Sequence, residues 1–157
     1  MKRISLVFII AVFAFLIISK ATAVIIYESD VAAHFSGSAA DGGTYSYLVS
    51  NNAYGTEGEE VSNIWWFTLV FEPTTFNPIL PSNVQTPEGW TPIVVGQNEM
   101  NFTMDPRIYG IAPGASLGGF EVAVTFQDPS GLVPLTQEYT VAWDGGGSHS
   151  AQTHTPE

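Results

Sequence analysis

Phe120, Val122, Val124 and Phe126 alternate with Glu121, Ala123 and Thr125. Tyr139, Val141 and Trp143 alternate with Glu138, Thr140 and Ala142, and Tyr45, Tyr47 and Val49 with Ser46, Leu48 and Ser50. A period of two places all the apolar side chains of such a run on one side of an extended chain. Gly, Pro, Asn, Asp and Ser recur between these runs, and no stretch of useful length carries a helical period. One-sided strands hide their apolar faces against one another. The expected fold is therefore all-β, an immunoglobulin-like antiparallel β-sandwich of about seven or eight strands. The cysteine pair of antibody-type domains is absent. Packing alone, or packing with a bound ion, has to hold this sandwich together. Thiol catalysis and soft-metal ligation are excluded for the same reason.

The chain opens on Lys2 and Arg3, then an apolar run from Ile4 to Ile18 broken only by Ser5, then Ala21-Thr22-Ala23. That order reads as a secretory signal peptide, residues 1–23, cut after Ala23. The run is shorter than the roughly 20 apolar residues a spanning helix needs. No second apolar segment of that length follows, so no stable membrane insertion is expected after cleavage. Residues 24–143 would form the sandwich domain. Residues 144–157, DGGGSHSAQTHTPE, hold no aliphatic side chain larger than alanine and are expected to be a flexible tail. After cleavage Arg107 is the only basic residue besides histidine, against fifteen Asp and Glu, a formal charge of −14. Nucleic acid is excluded as a partner and anionic membranes are disfavoured, because phosphates are neutralised by many Lys and Arg. Cations, neutral sugars and neutral or basic protein surfaces remain.

The stretch Ile64 to Phe71 is apolar except for Thr68. Counting by twos puts Trp65, Phe67, Leu69 and Phe71 on one face, the heavier one, expected in the core. Ile64, Trp66, Thr68 and Val70 share the other face. If that face is bare, Trp66, together with Tyr54, could receive a ligand such as a sugar ring. Trp90 and Trp143 read as core. Asp41, Glu57, Glu59, Glu60 and Asp144 sit in glycine-bearing turns that could supply oxygen ligands to a structural calcium, although no EF-hand spacing is present. His34, His149 and His154 stand in polar surroundings and read as exposed. No G-x-S-x-G occurs, and nothing places two carboxylates across a cleft. Asn101-Phe102-Thr103 is an N-x-T sequon, of consequence only in a host that glycosylates exported proteins.

Four phrases in order, YSYLVSN (45–51), NIWWFTLVF (63–71), PEGW (87–90) and GIAPGASLGGFEV (110–122), resemble a module of exported bacterial proteins. Many of those carry a C-terminal PEP-CTERM-type sorting signal. The resemblance spans about Thr44 to Phe126. It implies an extracytoplasmic β-sandwich without transferable catalytic residues; the sorting motif itself is missing here. In the last phrase, Pro113-Gly114 suits a turn, and Gly118-Gly119 lets the backbone bend before Phe120 enters the core. The role expected is a secreted, non-enzymatic structural or interaction module of matrix, adhesion or cell surface, with an extracellular protein or polysaccharide as partner. A carbohydrate-binding module is the alternative, and a secreted hydrolase the second.

Overall fold

The computed structural model describes residues 24–56 and 59–156. The signal-peptide assignment, and Glu57 among the calcium candidates, lie outside the described residues. Eleven strands are present among the described residues. They are β1 (Ile25–Ile26), β2 (Ser29–Ser38), β3 (Gly42–Asn51), β4 (Tyr54–Gly55), β5 (Ile64–Val70) and β6 (Val84–Gln85), then β7 (Trp90–Val95), β8 (Glu99–Met104), β9 (Ser116–Val124), β10 (Glu138–Trp143) and β11 (Ser148–Gln152). The count exceeds the expected seven or eight because β1, β4 and β6 are two-residue pieces and β11 lies in the segment expected to be a tail.

A five-stranded sheet runs β11-β10-β5-β8-β7 and a four-stranded sheet β2-β3-β9-β6, while β1 and β4 form a separate ribbon. All these strand pairs are antiparallel. The three runs with a period of two behave as their pattern dictates. Tyr45, Tyr47, Val49, Phe120, Val122, Val124, Tyr139, Val141 and Trp143 are all buried. Within the five-stranded sheet the Phe67 ring stacks on its neighbour Phe102 at 4.5 Å, and across to the other sheet it meets Phe120 edge-on at 4.8 Å. Such pairs add to the burial that drives sheet packing.

The apolar strand β5 departs from simple alternation. Opposite it, Ala142 pairs with Trp66 and Trp143 with Ile64, so Trp65 is the extra residue of a β-bulge. The bulge shifts the phase by one. Ile64, expected outside, is fully buried with Phe67, Leu69 and Phe71. Trp65, expected to lead the core face, is only half-buried, and the Arg107 guanidinium lies 3.9 Å above its ring. Gly118-Gly119 makes the matching irregularity in β9: Tyr47 pairs with Phe120 but Val49 with Leu117. Gly119 adopts φ +89°, which side chains disfavour.

Two segments read as polar loops are structural. The described part of the expected tail, residues 144–156, is not free. β11 pairs with β10 along its length, Thr153 is buried, and His154 bridges to Ala32 at the edge of β2. The C-terminal segment thus continues from the five-stranded sheet to the edge of the other. Small polar side chains hid this, because the stabilisation lies in backbone pairing. Asn51, read as part of a polar turn, is fully buried. Its amide nitrogen donates to the carbonyls of Ile111 (2.8 Å) and Ser62 (3.3 Å), and its Oδ1 accepts from the Trp143 indole (2.9 Å) and the Ala53 amide (3.2 Å).

Candidate functional site

The inward side of the five-stranded sheet is core; its outward side forms three rows. The register gives the first row as Ser148, Ala142, Trp66, Thr103 and Thr91. The second is Ser150, Thr140, Thr68, Asn101 and Ile93, and the third Gln152, Glu138, Val70, Glu99 and Val95. Hydroxyls knit the middle row: Thr140 bonds Ser150 at 2.7 Å, and Thr68 donates to the Asn101 carbonyl oxygen. Apolar side chains stand out around it. Ile93 is 47% exposed, Val95 44% and Val70 39%. β-Branched residues suit a strand whichever way they face, so Ile93 and Val95 sit comfortably on the edge strand β7 while meeting solvent.

Trp66 is half-buried in the middle of the first row, between Ala142 and Thr103. Tyr54, half-exposed, stands on the β1–β4 ribbon instead. Among the described residues no aromatic ring packs against either, so they are not joined into a stacking platform. The bulge turns Trp65 outward beside Trp66. Its ring is capped by Arg107, which also reaches Asp144 at 3.4 Å. Asp144 is thereby held as an ion-pair partner at the surface.

The other calcium candidates are dispersed. Asp41 closes the β2–β3 turn, where its carboxylate accepts from Ser38 at 2.9 Å. Glu59 and Glu60 follow β4, near the opposite end of β3. A strand the length of β3, 10 residues, spans on the order of 30 Å. Among the described residues no three metal-binding side chains converge. The histidines are better employed than expected. A ring nitrogen of His149 bonds the Ser29 hydroxyl at 2.8 Å, and His154 lies 3.1 Å from Asp30; only His34 stands exposed without such a contact.

A cleft of about 270 Å³ opens beside the third row. Val70, Glu138 and Gln152 of that row line it, together with Thr75, Thr136 and Gln137. Gln137 is 3% exposed. Its Oε1 accepts from the hydroxyls of Tyr47 (3.3 Å) and Thr153 (3.4 Å), and its amide faces the Tyr45 hydroxyl. Nothing in the sequence pattern distinguishes Gln137 from a loop glutamine; only the closing of the C-terminal segment buries it. The phenols nearby are shifted. Burial pushes the Tyr47 hydroxyl well up, with the neighbouring Tyr45 adding to the effect. Burial also raises Tyr45 and Tyr139, opposed in part by hydrogen bonds with Gln137 and Ser29 respectively. All three are neutral donors at ordinary pH.

No protein-family profile matches the chain, and no curated protein matches it. Among solved structures it is similar to an uncharacterised protein from Nocardia farcinica with an immunoglobulin-like fold. Identity there is 17% and the TM-score 0.54, over 77% of this chain and 82% of that one. It also matches, at TM-score 0.44 and 14% identity, a GH20 exo-β-N-acetylglucosaminidase from Vibrio harveyi, covering 83% of this chain but 18% of the enzyme. The first likeness agrees with the architecture described above: the chain has an immunoglobulin-like fold.

Proposed function

We propose that this chain is a non-enzymatic interaction module of an exported bacterial protein, acting outside the cytoplasm. The outward face of the five-stranded sheet is the contact surface. One observation carries this reading. Ile93 and Val95 stand exposed side by side on the edge strand β7, with Val70 exposed beyond Glu99 on the same hydroxyl-lined face, although the other sandwich sheet keeps its large apolar side chains mostly inward. A grouped apolar face with a polar surround marks contact with another molecule rather than with water. The immunoglobulin-like architecture supports a scaffold that presents such a face, and the likeness to exported modules supports the compartment. The fold by itself does not assign an activity.

The test is retention on cell-envelope material of the producing bacterium. The double variant Ile93→Lys with Val95→Lys should lose retention by roughly tenfold or more, as for central interface positions. Leu48→Lys, on the outward side of the four-stranded sheet, should bind as wild type. Equal retention by the double variant would overturn the assignment of this face. N-terminal sequencing of exported protein should begin at Val24; an intact leader would contradict export with cleavage.

A further inference from the structure

We infer that the contact surface extends past the third row onto the loop between β9 and β10, residues 125–137, and that its partner is a protein whose apolar patch is bordered by Lys and Arg; this rests on the reading of the sheet face given above. The loop carries two strongly exposed apolar side chains, Leu132 at 95% and Leu135 at 60%. Its backbone is tied from below. Val133 packs against the core, and the Tyr45 hydroxyl donates to the Pro134 carbonyl. At its base the Gln127 amide donates to the Thr75 carbonyl at 2.9 Å, and Asp128 Oδ1 accepts from the Ser130 amide at 2.9 Å. The leucines are thus presented by a fastened backbone, and little loop ordering has to be lost when a partner closes on them. Loop and sheet face are continuous. Pro134 and Thr136 line the same cleft as Val70, Glu138 and Gln152 of the third row. Glu138, paired with Val70, is where the chain leaves the loop and enters the sheet.

Charge selects the partner. Asp128 belongs to the loop, Glu99 and Glu138 flank Val70 in the third row, and Glu72 and Glu138 line the cleft, which no Lys, Arg or His enters. Among the described residues Arg107 is the only Lys or Arg, and it lies over Trp65, at the opposite end of β5 from Val70. An anionic bilayer is repelled by such a rim, and a second copy would bring the same acidic rim. Leucine side chains offer no aromatic face to a sugar ring. An apolar patch bordered by Lys and Arg complements both parts of the surface: the leucines fill the patch, and the carboxylates meet the cations.

The experiment measures retention of the protein on envelope of the producing bacterium, intact and after protease treatment, and on vesicles of phosphatidylcholine, alone or with phosphatidylglycerol. Intact envelope should retain the protein; protease-treated envelope and both kinds of vesicle should not. Leu132→Ser with Leu135→Ser changes two exposed side chains, so this variant should fold, and its retention should fall about tenfold. Rising NaCl should weaken retention of the wild type, because salt screens the attraction between carboxylates and cations. Glu99→Lys with Glu138→Lys should bind more weakly and lose that salt dependence. Retention that survives protease, retention on either vesicle, retention indifferent to NaCl, or unchanged retention of the leucine variant overturns the inference. The double variant Ile93→Lys with Val95→Lys separates it from the sheet-face reading. If that variant loses retention while the leucine variant keeps it, the face stands and the loop inference falls. If the leucine variant loses retention while Ile93→Lys with Val95→Lys keeps it, the face reading falls and the contact is confined to the loop.

Discussion

Asn51 shows how much one polar side chain can hold in a sandwich without disulfides. It satisfies two carbonyls, one amide and the Trp143 indole from a fully buried position. Asn51→Ala should cost about 2–4 kcal/mol, since it leaves several buried partners without bonds. Urea denaturation measures this directly, and a loss under about 1 kcal/mol would mean that the partners find substitutes. Arg107→Ala should behave differently. The guanidinium lies on Trp65 and beside Asp144 with both charged groups well exposed, so its loss should cost about 1 kcal/mol or less. In the sequence Asn51 looks like any turn asparagine. What distinguishes it is the set of chain ends that meet around it, and those come from residues up to Trp143, far away in the chain.

At the scale of elements, runs with strict alternation were legible, and runs interrupted by an irregularity were not. β3, β9 and β10 bury the side chains their period of two predicts. In β5 the bulge at Trp65 inverts that prediction for Ile64 and Trp65 only, while Phe67, Leu69 and Phe71 keep their places. A bulge is fixed by pairing with β10, and pairing is invisible to a count along one strand. β11 was missed for a related reason: Ser148 to Gln152 offers backbone bonds and little apolar surface. Removal of residues 144–157 therefore tests whether this segment is structural. It should destabilise the protein by several kcal/mol, because Gln137 and the edges of β10 and β2 lose their partners. Thermal unfolding of the truncated chain is the check; an unchanged melting temperature would return the segment to the status of a tail.

Taken whole, the molecule is a sandwich with most of its aromatic rings inside, carboxylates and hydroxyls outside, and one sheet face that keeps a group of apolar side chains in solvent. The buried phenols of Tyr45, Tyr47 and Tyr139 give it a stated pH dependence. Each is raised above the ordinary tyrosine range in the folded state, so the unfolded chain gives up these protons first as pH rises. Stability should be insensitive to these groups below about pH 9 and should fall once the pH exceeds about 10. Urea midpoints measured across that interval check the sign; a midpoint that rises above pH 10 would refute it. The all-β class could be argued from the sequence, but the face could not. Ile93 and Val95 differ from inward residues only in register, and register emerges from the pairing of β7 with β8. The most direct test of that face is hydrogen-exchange footprinting of the protein with and without envelope material from the producing bacterium. Protection is predicted in Trp66–Val70, Thr91–Val95, Glu99–Thr103 and Glu138–Ala142. Protection confined to β2, β3 and β9, or none anywhere, would contradict the assignment.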